Sequence, residues 1–143
     1  WGAQMGGRKI WSLPMSFPLI MCVGALIAIS NIFTFIFVEQ IIALSVIVLG
    51  FIILIKWSPN ELIAILVISI FALFHGYAHG VELPSANDPL SFIIGFVLST
   101  GLIHLFGIGT GYFCDKFYNG KLSRIIGILI AITGLIFVFR IYI

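Results

Sequence analysis

The sequence predicts an all-α fold, a polytopic transmembrane helix bundle with five spans. Of its 143 residues, 62% are hydrophobic and 8% charged, with a mean hydropathy of +1.26; soluble domains run at roughly 45–50% apolar and about 25% charged. Five stretches reach the roughly 20 apolar residues that a helix needs to cross a hydrocarbon core about 30 Å thick. Fifteen Gly against 5 Pro fit close packing of helices in lipid. The apolar runs are too long, and alternate too little, for a membrane barrel. The loops leave no room for a soluble domain, so residues 1–143 form a single transmembrane domain.

The first span covers about 10–30, with Pro14 near its first turn and a kink expected at Pro18. The second, about 38–56, carries the unbroken run IIALSVIVLGFIILI. The third covers about 59–82. Ser58 suits its cap, Pro59 its first position, and Glu61 the positive end of its dipole. It ends just before Pro84. The fourth covers about 88–113 and the fifth about 122–141. Cys22 and Cys114 fall in separate apolar segments with no metal-ligand or CxxC spacing, and both read as small buried hydrophobes.

Charge placement orients the bundle. Arg8, Lys9, Lys56, Lys116, Lys121 and Arg124 all fall on one side, leaving Arg140 alone among the seven basic residues on the other. By the positive-inside rule the basic side is cytoplasmic, so Glu39, Glu82, Asp88 and the C-terminus face outward, as in a bacterial inner membrane. A net charge of +2 spread this thinly forms no basic patch, so no nucleic-acid partner is expected. The bilayer is the partner the composition calls for, and a homo-oligomer is compatible with it. An odd number of spans, in a chain opening on Trp1, raises the expectation of a preceding helix.

The chemistry concentrates in FHGYAHGVELP, residues 74–84. With His75 at zero on a helical wheel, His79 falls at about 40° and Glu82 at about 340°, one polar stripe. Gly76 and Gly80 flank it as a GxxxG face that admits another helix closely. Ionisable groups within a span are costly and generally functional, facing a cavity or pathway. Two imidazoles at i, i+4 with a carboxylate one turn on suit a borderline divalent ion such as nickel, cobalt or zinc, rather than calcium or magnesium. Against this, Glu82 could simply end the helix among headgroups while the histidines bond neighbouring helices.

His104 lies among the small residues Gly101, Gly107 and Gly111, a surface typical of helix contacts, and reads either as a deeper ligand or as a packing histidine. Glu39 could extend the site at the outer mouth, although a helix N-terminus also explains a carboxylate there. Asp88 could capture metal or cap the following helix. Together these groups form a ladder, acidic outside and imidazole within, that can pass an ion without trapping it.

FHGYAHGVELP, with ALSVIVLG at 43–50, GFVLSTGLIHLFGIG at 95–109 and the opening WGAQMGGRKIWSLP, resembles the HupE/UreJ family of membrane proteins, hydrogenase and urease accessory proteins regarded as nickel permeases. The likeness runs through essentially the whole chain, and His75, Gly76, His79, Gly80 and Glu82 carry its most specific motif. The resemblance implies six helices and a second motif of two histidines and an aspartate on a helix that would precede residue 1. It implies nickel uptake for hydrogenase or urease maturation, with no prosthetic group and Ni2+, Co2+ or Zn2+ as the transported ion.

No nucleotide-binding loop appears, so the membrane potential is the expected driving force. Protonation of the histidines, whose ordinary pKa is about 6.5, should slow uptake in acid. Two other classes compete. An intramembrane zinc hydrolase could use His75, His79 and Glu82 as ligands, but Gly76 stands where an HExxH motif has its general base. A metal-binding scaffold or sensor that does not transport is not separable from a permease by sequence.

Overall fold

The computed structural model describes residues 1–83, 88–118 and 120–143. The chain folds into α1 (Gly2–Met5), α2 (Lys9–Ser30), α3 (Val38–Ile55), α4 (Glu61–Glu82), α5 (Pro89–Tyr118) and α6 (Lys121–Tyr142), with no strand among the described residues. Five of these, all but α1, are long and apolar enough to cross a membrane. Large apolar side chains cover the outer surface; Leu19 is 67% exposed and Phe106 78%, a distribution suited to lipid.

Several boundaries differ from the sequence expectation for local reasons. The cap of α4 is Asn60 and not Ser58: Asn60 is extended, and its Oδ1 accepts the Ile63 amide hydrogen at 2.9 Å. The fourth span continues to Tyr118, past its apolar stretch, and the chain turns only where the Gly120 amide donates to the Cys114 carbonyl at 3.2 Å. Gly120 there has φ 70°, which favours glycine. Cys114 is buried, but Cys22 is exposed on the bundle's outer face.

The helix α1 was not anticipated. Its neighbourhood ties it to the α3–α4 connection: Trp1 stacks on Trp57 at 5.9 Å and donates Nε1–H to the Trp57 carbonyl at 2.8 Å. Gln4 Nε2 donates to the Ile53 carbonyl at 3.1 Å, and Lys9 Nζ to that of Pro59 at 2.8 Å.

Two glycine seams organise the bundle, α2 against α4 and α3 against α6. In the first, Cβ atoms added at Gly24 and Gly76 would overlap the carbonyl oxygens of Leu73 and Met21, and one at Gly80 would lie 2.5 Å from that of Ala25. In the second, Gly127 faces Gly50 and Leu54, while Gly134 faces Ile47. Without a Cβ the backbones approach closely enough for dispersion contacts to hold helices together where lipid offers no hydrophobic drive. The helix α5 packs far less than the other four spans and has no buried residue in its most apolar window. In place of the expected helix contact, Gly101 and Gly107 face open space, with nothing within 4 Å of an added Cβ; one added at Gly111 would lie 2.8 Å from the Ala3 side chain of α1.

Candidate metal-binding site

The loose fit of α5 leaves a cavity of about 550 Å³ among α1, α2, α4 and α5. It runs from Ile68 to His79 along α4, about 16 Å of helix. Trp1, which precedes α1, and Gly2 and Ala3 of α1 line it at the end away from Glu82. Its walls are mostly apolar, and its polar groups include His75, His79, His104 and Thr100.

The local helix geometry aims each histidine. His75 Nδ1–H donates to the Phe71 carbonyl at 2.9 Å and His104 Nδ1–H to the Thr100 carbonyl at 2.7 Å. A carbonyl can only accept, so each bond fixes the proton on Nδ1 and leaves the Nε2 lone pair available as a ligand. His79 has a different support: its Nδ1 lies 3.2 Å from Glu82 Oε2. A carboxylate on the far nitrogen of an imidazole is the usual outer-shell device that orients a metal-binding histidine. Glu82 therefore serves His79 in this structure instead of extending into the cavity, and its side chain is 61% exposed.

The remaining candidates fall elsewhere. Glu39 is exposed and lines a separate pocket of about 260 Å³ with Arg140, between α3 and α6. Asp88 is exposed and caps α5: its Oδ1 accepts the amide hydrogens of Leu90 and Ser91 at 3.1 and 3.2 Å, and its Oδ2 the Ser91 hydroxyl at 2.6 Å. Bonds from the Ser91 hydroxyl and amide hold the Asp88 carboxyl below the usual aspartate range. Because the folded value is lowered, the cap contributes in full above the ordinary aspartate pKa and is lost as pH falls through the folded one. Asp88→Ala should speed amide hydrogen exchange at the Leu90 and Ser91 amides at neutral pH, while Asp88→Ser keeps much of the protection; equal exchange in all three proteins would show that the cap is inert. Among the described residues, no three of the His, Cys, Asp and Glu side chains converge on one ion-sized position.

Aromatic rings also enter the site. Phe96 of α5 covers His79 at a centroid distance of 4.6 Å. Phe17 of α2 meets both His75 and His104, at 5.6 Å each. Sequence reasoning passed over both, because two phenylalanines among fourteen carry no distinguishing signal in an apolar chain.

Residues 1–137 match the family described as HupE / UreJ protein. Over 134 residues the chain is 31% identical to Protein HupE of Rhizobium leguminosarum bv. viciae, covering 94% of this chain and 70% of that protein. The chain belongs to the HupE/UreJ family. No solved structure matches it. The family match takes in every wall of the cavity, so the His75, His79 and His104 constellation lies wholly within the part of the chain that is HupE/UreJ-like.

Proposed function

We propose that this chain moves a divalent transition-metal ion, nickel above all, across the membrane for hydrogenase or urease maturation. The single observation that carries the reading is the placement of three imidazoles on one intramembrane cavity, two of them with Nδ1–H bonded to a backbone carbonyl so that Nε2 is the ligand nitrogen. Family membership supports nickel as the ion. The clustering of Arg8, Lys9, Lys56, Lys116, Lys121 and Arg124 at one end supports a reading in which the α1 end is cytoplasmic and the Glu82 end faces out of a bacterial inner membrane.

In this reading His79, oriented by Glu82, takes the hydrated ion first. His75, one turn deeper, replaces further water, and His104 on α5 offers the next nitrogen. Imidazole ligands at successive depths hold the ion in turn without a deep well. A doubly charged ion gains about 4.6 kcal/mol per 100 mV of inside-negative potential, enough to drive accumulation without nucleotide hydrolysis.

The competing hydrolase reading needs three protein ligands on one zinc. Glu82 bonds His79 instead, and the described residues bring no such triad together. The chain reconstituted in liposomes loaded with a nickel-sensitive dye should admit Ni2+, faster when the interior is made negative. Influx equal to that of protein-free vesicles would overturn the transport reading and leave a binding scaffold.

A further inference from the structure

Phe17 holds a position that the ladder of ligands does not account for. Its ring lies 5.6 Å from that of His75 on α4, edge-on at 63°, and 5.6 Å from that of His104 on α5, tilted at 48°. It also packs on the core cluster of Leu13, Ala64 and Ile68, and so touches that cluster and an imidazole from each of two other helices. One ion shared by two imidazoles sits about 2.0–2.1 Å from each nitrogen, which brings the two nitrogens within about 4 Å of one another. A phenyl ring packed against both imidazoles competes with such a bridge for the space beside them.

The backbone under Phe17 is the part of α2 that prolines interrupt. Pro14 and Pro18 both lie inside the helix and bracket Phe17. Each lacks an amide hydrogen, so the ladder loses its bonds to the Ile10 and Pro14 carbonyls, and prolines are where helices bend. The carbonyl-bonded Nδ1 atoms, in contrast, hold His75 and His104 in fixed orientations. In this trio the phenylalanine is the member whose helix has lost backbone hydrogen bonds around it.

We infer that Phe17 is a gating residue of the metal path: in the present state its ring keeps His75 and His104 apart, and its displacement on the Pro14–Pro18 turn joins them into a two-imidazole site for the passing ion. This rests on the permease reading. A protein whose binding-competent state is only fractionally populated binds more weakly by that fraction, and a substitution that removes the block recovers it.

The test is Ni2+ binding to the purified full chain in nanodiscs by equilibrium dialysis, with influx measured in parallel. Phe17→Ala should lower the apparent Kd about tenfold, as for a competent state populated near 10%. Phe17→Leu, which keeps an apolar side chain on the Leu13 cluster, should give a smaller gain with the fold intact. The gain must vanish in Phe17→Ala/His104→Ala, a coupling that a purely structural phenylalanine would not produce. Should wild-type and both Phe17 variants bind alike, or should the gain survive loss of His104, the gate is wrong and the permease stands. Should the wild-type bind no Ni2+, the permease reading fails and takes the gate with it.

Discussion

Replacing both His75 and His79 with alanine should reduce nickel influx at least about 100-fold, to the level of protein-free vesicles. Each histidine supplies one nitrogen to the cavity at successive turns of α4, and Glu82, the carboxylate beside His79, does not line the cavity. Removing one leaves a shallower ladder, and the single variants should retain measurable transport. Glu82→Gln is the informative intermediate. It leaves a side chain that can still accept from His79 Nδ1, so influx should fall less than with Glu82→Ala, for which loss of an outer-shell partner predicts about 10–100-fold weaker metal affinity. Equal losses in the two Glu82 variants would mean that Glu82 binds the ion through its charge. Full transport by the double histidine variant would remove His75 and His79 from the path altogether.

The five spans were legible because twenty-residue apolar runs have one stable solution in lipid: intrahelical hydrogen bonds for every peptide group. The stripe of His75, His79 and Glu82 was legible for the same geometric reason, since positions on one helix fix their relative angles whatever packs around them. What each stripe member touches depends on other helices, and here sequence ran short. Glu82 has the right phase to ligate, but a bond to His79 three residues back is available within its own helix and is made there.

Gly76 and Gly101 illustrate the same limit. Both are small residues near a histidine, yet one is wedged against Met21 and the other faces open space, because a surface of small residues serves equally as a helix contact or as the side of a loosely packed helix. The α3–α6 seam was also within reach. Ser123, Gly127 and Ala131 repeat small residues every fourth position, the spacing of a helix-packing seam. Phe17 became visible only when α2, α4 and α5 were brought together, although its bracketing by Pro14 and Pro18 was in plain sight.

The glycine contrast yields the second large effect, one of opposite signs at two sites. Gly76→Ala should destabilise the bundle by about 1–3 kcal/mol, the range for forcing a methyl into a well-packed interior, as read by unfolding in mixed micelles. The added Cβ meets the backbone of Met21, carbonyl oxygen included, and backbone cannot rotate out of the way as a side-chain tip can. Relief therefore requires α2 and α4 to separate, and because His75 and His79 ride on α4 while Phe17 rides on α2, the same displacement alters the cavity. Nickel binding should weaken together with stability. At Gly101 a Cβ has nothing within 4 Å, so alanine there brings only its better helix propensity, and Gly101→Ala should be neutral to about 1 kcal/mol stabilising. If Gly101→Ala instead destabilises as much as Gly76→Ala, α5 is covered in the membrane by another helix, and the open side of the cavity is an interface in the assembled protein.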